Sequence, residues 1–180
     1  MQQVTLEELR ELAAAERNSG LIRIISHWSA GHHDQPFADY DINNLGDGTI
    51  VMPNLILEDT EAHCWRRNSD SIGAAIASCY QGNTNDLGPE APTEAQIERQ
   101  AQIIAAVCSG MAWPIDRDHA PTHEEMATID GYGPGSGDPE TRWDLWFLRN
   151  GEAPGTGGDM LRASAQAYSE SRGWNLWRNC

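Results

Sequence analysis

Two spacings of apolar residues organise this chain. Leu6, Leu9, Leu12 and Ala13 recur at intervals of three and four, the signature of one buried helical face. Thr5 stands three residues before Glu8, a capping box that opens this helix, and Asn18, Ser19 and Gly20 close it. Residues 21–26, LIRIIS, are apolar except for one Arg and predict a buried strand that delivers His27 at its C-terminal end. A loop over 32–38 follows. Residues 40–52 read as two short strands around Gly46, Asp47 and Gly48, a turn of the Asp-Gly type, until Pro53 stops the second. The run SIGAAIAS at 71–78 predicts a central strand, and the Gly-, Asn- and Pro-rich stretch 81–92 a loop. Thr93 and Gln96 form another capping box, opening a helix with Ile97, Ala101, Ile104, Val107, Cys108 and Met111 on its inner stripe and Pro114 beyond its end. Residues 131–141, GYGPGSGDPET, predict a long loop, 155–158 a second break, and 159–172 a terminal helix. Strands alternating with helices predict an α/β fold, with no internal repeat and no linker dividing it.

Composition narrows the function classes. The chain has 180 residues, 39% hydrophobic and 22% charged, which suits one globular domain. No run approaches the roughly 18 apolar residues of a membrane span, so membrane insertion is not expected. Net charge is −15 and all 12 basic residues are Arg; an acidic surface repels phosphate, which argues against a nucleic-acid partner. The start, MQQVTLEELREL, lacks a basic segment followed by an apolar one, so no secretory signal peptide is expected and synthesis is assigned to the cytoplasm. The cysteines at 64, 79, 108 and 180 show no C-x-x-C spacing; they read as free thiols, with a Cys64–Cys79 bridge left open.

Candidate chemistry gathers at His27 in SHWSA, His123 in PTHEE and Asp144 in RWDLW. A single histidine after a strand is more often structural than a ligand, so the case rests on the surrounding blocks. These are IISHWSAG at 24–31, YDINNLGDGTI at 40–50, AHCWRRNSDSIG at 62–73, THEE at 122–125 and RWD at 142–144. In this order they resemble the zinc-dependent N-acetylmuramoyl-L-alanine amidases, the type-2 amidases related to phage lysozyme-amidases and peptidoglycan recognition proteins. The resemblance covers roughly residues 20–148. It implies a single domain with a central mixed β-sheet flanked by helices and zinc at one end of the sheet. Residues 1–19 would be an N-terminal helix, 20–150 the catalytic domain and 151–180 a helical extension packing on it.

The resemblance further implies one Zn²⁺ held by His27, His123 and Asp144. Three protein ligands leave one tetrahedral position open, the pattern of a catalytic zinc, and two imidazoles with a carboxylate suit zinc better than magnesium or calcium. Asp138, in an Asp-Pro pair, is the rival third ligand; Asp144 is preferred because Arg142 stands two residues before it, matching the family's basic-x-ligand pattern. Tyr40 and Arg142 become the catalytic donors to a developing oxyanion, with Arg in place of the family's Lys. His63 and Asn68 are placed along the substrate groove. Two departures stand out: Ala75 occupies a position where some relatives carry Glu, and Asp41 one where many carry His. His32, His33 and Asp34 look metal-like, but neighbouring side chains on extended backbone diverge, so they read as a solvated loop. Trp28, Trp65, Trp113, Trp143 and Trp146 supply candidates for a cleft wall as well as for core. The implied substrate is peptidoglycan, cut between N-acetylmuramic acid and the L-alanine of the stem peptide. A phage or prophage endolysin, released through a holin-type pore, or a wall-remodelling enzyme would fit; a non-catalytic peptidoglycan-binding module is the alternative.

Overall fold

The structure is a computed structural model that describes residues 1–57, 61–133 and 143–174. Five strands form one mixed sheet: β1 (Gln2–Val4), β2 (Arg23–Trp28), β3 (Ile42–Asn44), β4 (Ile50–Met52) and β5 (Ser71–Ile76), in the order β1-β4-β3-β5-β2. β5 runs parallel to both β2 and β3, while β4 is antiparallel to β3 and to the edge strand β1. Four helices complete the described fold: α1 (Leu6–Ala15), α2 (Glu94–Met111), α3 (His123–Ile129) and α4 (Gly157–Arg172). This is the α/β architecture expected from the sequence. The three-residue β1 was not foreseen, since QQV is too short to show a period.

Alternation along the strands sorts residues to two faces. Ile24, Ile42, Ile72, Ala74 and Ile76 join the main core with Ile97, Ile104 and Val107 of α2. α1 and α4 both pack against α2. A buried amide network joins α2 to the same sheet face: Gln100 Nε2 donates to Ser26 Oγ and to the Ala74 carbonyl, each at 3.1 Å. Gln96 Nε2 donates to the carbonyls of Asn44 and Ala77, and Asn44 Nδ2 returns a bond to the Gln96 carbonyl. These bonds hold the helix in one register over a face that apolar contact alone would allow to slide.

The opposite face of β2 and β5 carries Ile25, His27, Gly73 and Ala75, which pair as Ile25↔Gly73 and His27↔Ala75. Ile25 packs there with Cys64 and Met126. The metal-like cluster therefore lies over a sheet face, toward the carboxyl end of β2, rather than off one end of the sheet. Cys64, Cys79 and Cys108 are all free and buried, which rules out a Cys64–Cys79 bridge.

Candidate metal centre

His27 is the penultimate residue of β2 and fully buried. Beside it, the chain at 119–122 runs along the outer edge of β2: Ile24 N donates to the His119 carbonyl at 2.8 Å and Ser26 N to the Pro121 carbonyl at 3.0 Å. That pairing ends at Thr122, which caps α3; its hydroxyl accepts from Glu125 N, and Glu125 returns to the Thr122 amide. His123 thus becomes the first residue of a helix whose origin is set by sheet-like hydrogen bonds next to His27. The third member arrives on a loop. Asp144 accepts from Glu124 N through its carbonyl at 3.4 Å, and the following residue, Leu145, is fully buried at φ 67°. A leucine in the left-handed region is strained by about 1–2 kcal/mol, and packing around it must hold that turn.

α4 supplies that packing. A Cβ on Gly157 would stand 2.0 Å from the Leu145 carbonyl oxygen, so only glycine allows α4 this close there, and one on Gly158 would press to 2.7 Å on the Glu125 carboxylate. Arg162 of α4 then grips Glu125 through two bonds of 2.8 Å.

His27 Nδ1 lies 2.8 Å from Asp144 Oδ2, and His123 Nδ1 lies 3.2 Å from the same oxygen. Ligand atoms of His27, His123 and Asp144 all fall within 4.8 Å of one another, and this group could hold a metal ion. Tetrahedral zinc ligands at about 2.0–2.1 Å from the ion stand about 3.3 Å apart, close to the 2.8 and 3.2 Å that separate the two imidazoles from Asp144 Oδ2. The electrostatics agree. Burial disfavours charge on both His123 and Asp144, yet each charge holds the other: Asp144 sits well below the usual carboxylate range and His123 rises to about 10, helped by its contact with Cys64. Burial pushes His27 down, beyond what Asp144 restores. The cluster is a preformed seat for positive charge, taken by a proton on His123 when no metal competes.

The remaining sequence-assigned residues are placed as follows. The Tyr40 ring centroid is 5.2 Å from that of His27, and burial with the nearby Asp144 charge raises its pKa, so the phenol keeps its proton. Tyr40 precedes β3 rather than lying in it; Asn43 Nδ2 binds its carbonyl, and Asp41 Oδ2 accepts from Gly73 N at 2.6 Å, tying the segment to β5. His63 is buried against His27, its Nδ1 3.1 Å from His27 Nε2. Burial, then the neighbouring His27, pushes its pKa down to about 3, so His63 is neutral. Asn68 accepts from Cys64 N at 2.7 Å and so stabilises the turn before β5. Arg142 and its rival-ligand neighbour Asp138 lie outside the described residues.

His32 and His33 converge on Glu90: His32 Nδ1 is 2.6 Å from Oε1, and His33 N donates to Oε2 at 2.8 Å. They fasten two loops together rather than dissolving into solvent. Trp28 and Trp146 belong to a small satellite core and Trp113 packs on the main one. Trp143 and Trp65 do flank the site. From His123 the rings of Trp143, Tyr132 and Trp65 follow edge to face at 4.6, 4.8 and 5.3 Å, and the Arg66 guanidinium lies 4.1 Å from the Trp65 ring centroid. Trp65 is 55% exposed, so this row leads from the buried cluster to open surface. Tyr132 and Arg66 carried no sequence signal for it. The Thr122–Glu125 capping box did, and would have announced α3.

No protein-family model and no curated protein sequence matches this chain. Among solved structures, the endolysin N-acetylmuramoyl-L-alanine amidase LysCS from Clostridium intestinale URNW is similar at 17% identity and a TM-score of 0.44, over 59% of this chain and 70% of that one.

Proposed function

We propose that this protein is a zinc-dependent peptidoglycan hydrolase that cleaves the amide between N-acetylmuramic acid and the L-alanine of the stem peptide. The observation that carries the reading is the convergence of His27, His123 and Asp144, from β2, α3 and a loop, into one buried cluster of metal donors. The sequence blocks that resemble the amidases contribute Tyr40 and His63 to the same place, beside His27.

His27 and His123 would hold the ion through Nδ1 and Asp144 through a carboxylate oxygen. When bound, zinc supplies a Lewis acid that polarises a carbonyl and acidifies water to a pKa of about 7. Tyr40 keeps its proton and donates a hydrogen bond to the oxyanion that forms at the scissile carbonyl; one such donor is worth roughly 3–4 kcal/mol of barrier. Arg142 is assigned the second donation, as charge stabilisation only, since a guanidinium holds its proton too firmly to shuttle it. Ala75, facing the site beside His27, offers no carboxylate base. The Trp143–Tyr132–Trp65 row gives a sugar ring or peptide a wall to lie against, and Asn68 is assigned to the same groove. We assign the action to the cell wall, reached by holin-type release or another export route.

The test is direct. Purified protein should hold one zinc per chain and clear suspensions of isolated sacculi, releasing new α-amino groups on L-alanine without new reducing sugars. His123→Ala should abolish both zinc and clearing. Zinc-loaded protein that binds sacculi but releases no amine would mark a binding module instead, and protein without zinc or clearing would overturn the assignment.

A further inference from the structure

Both ring nitrogens of buried His63 meet buried partners. One ring nitrogen faces His27 Nε2 at 3.1 Å and the other faces Ser71 Oγ at 3.3 Å; Ser71 Oγ in turn donates to the Arg67 carbonyl at 2.6 Å. All three side chains are buried, so water does not stand in for any partner. The imidazole also lies flat on the sheet: a Cβ on Gly73 would come 2.7 Å from His63 Cγ, so the position opposite Ile25 must lack a side chain for the ring to fit.

Proton positions in such a chain are not independent. A carbonyl only accepts, a serine hydroxyl has one hydrogen, and a neutral imidazole has one N–H and one lone pair. Starting from the Arg67 carbonyl, the Ser71 hydrogen is committed to that 2.6 Å bond. Ser71 Oγ is then an acceptor, so His63 carries its hydrogen on Nε2 and presents a bare Nδ1. That lone pair is met by a hydrogen on His27 Nε2, which leaves His27 Nδ1 bare at 2.8 Å from Asp144 Oδ2, itself only an acceptor, so a cation held between the two completes the arrangement. Without a cation Asp144 would draw the hydrogen to His27 Nδ1 and reverse the order, at the cost of the 2.6 Å Ser71–Arg67 bond; with a metal ion on Asp144 that demand is gone and the order set from Arg67 stands.

We infer that His63, directed by Ser71 and the Arg67 carbonyl, is a positioning residue that sets His27 in the Nε2–H tautomer and so presents Nδ1 as the metal-binding lone pair. The inference rests on the metal reading above and gives His63 a role through His27, where the sequence resemblance placed it in the substrate groove. Partners that orient a ligating histidine typically change metal affinity by about 10–100-fold when removed. The relay also explains why β5 keeps Ser71 and Gly73 on a sheet face that could have been lined by apolar side chains.

The experiment measures zinc affinity by chelator competition in the full chain. His63→Phe fills the volume without an acceptor and should weaken zinc binding by about 10–100-fold. His63→Asn, whose Oδ1 falls near the place of Nδ1, should restore affinity to within about threefold of wild type, an outcome that volume alone would not produce. In zinc-loaded, histidine-labelled wild type, long-range ¹H–¹⁵N spectra should show His27 with hydrogen on Nε2 and a metal-bound Nδ1. This measurement needs no substitution, so it decides even if His63→Phe does not fold. Wild-type affinity in folded His63→Phe, or hydrogen on His27 Nδ1 with Nε2 bound to zinc, overturns the relay. Unchanged zinc affinity with a raised KM would return His63 to the groove. Wild type that takes up no zinc would instead bring down the metal reading itself.

Discussion

Replacing Arg162 by Met should unfold this protein at markedly lower denaturant. The guanidinium meets Glu125 through two parallel bonds of 2.8 Å and also donates to the Ala120 carbonyl at 3.0 Å. The two side chains are only 7% and 4% exposed, so solvent screens the pair little. Burial alone would raise the pKa of Glu125, but Arg162, the Thr122 amide and Arg117 hold it below the usual carboxylate range. Met keeps the aliphatic volume and leaves that carboxylate with the Thr122 amide and the largely exposed Arg117. Breaking a buried pair from one side costs about 3–5 kcal/mol, a large share of the roughly 5–15 kcal/mol that holds a domain folded. For a chain of this size the melting temperature should fall by roughly 6–20 °C, at about 2–4 °C per kcal/mol. Urea unfolding at pH 7 with unchanged m-value measures it. Adding Glu125→Gln should recover part of the loss, because the orphaned charge is gone. A single-variant loss below about 1 kcal/mol, the worth of an exposed pair, or a double variant no better than the single, would refute the reasoning.

Three further outcomes follow from the same geometry. Without metal, the raised His123 pKa contributes stability that is full below its unfolded value near 6.5 and is lost as pH climbs through about 10, while the depressed Asp144 contributes above about 3.8 and loses it as pH falls. Zinc must displace the His123 proton, so its association constant should rise about tenfold per pH unit between roughly 7 and 9, with close to one proton released in calorimetry; a flat profile would count against the cluster as ligand set. Gly157→Ala, whose Cβ would fall 2.0 Å from the Leu145 carbonyl, should cost about 1–3 kcal/mol in thermal unfolding and weaken zinc uptake; full zinc affinity would show that Asp144 tolerates movement of its loop. Trp65→Ala should leave stability within about 0.5 kcal/mol, since the ring is exposed, yet raise KM for soluble muropeptide roughly threefold to tenfold, the worth of about 0.5–1.5 kcal/mol of aromatic contact; an unchanged KM would remove the aromatic row from the binding path.

Local signals carried much of this structure. The Thr5 and Thr93 capping boxes open α1 and α2 where the residues say, and the Asp47-Gly48 turn does join two short antiparallel strands. His27 follows from a run of apolar residues that can only be a buried strand. What escaped was whatever depends on contacts between distant segments. Nothing near Thr122 reveals that 119–122 pairs with β2, yet that pairing brings His123 to His27. The direction of His63 depends on Gly73, ten residues on and across a turn. His32 and His33 do not diverge as extended backbone would require, because the chain turns at His33 and both rings face residues 90–91, His32 on Glu90 and His33 on the Ala91 carbonyl at 2.9 Å.

The pair Gly157-Gly158 also defines what must travel together if this centre is moved into another protein. Its first member lies against the carbonyl beside Asp144 and its second under the carboxylate that caps the His123 helix. A transplant ending near residue 150 would include every proposed donor atom and omit the buttress that holds two of them at their separation. The smallest portable unit therefore runs through α4 to Arg172, and a fused partner belongs beyond that helix rather than in its place.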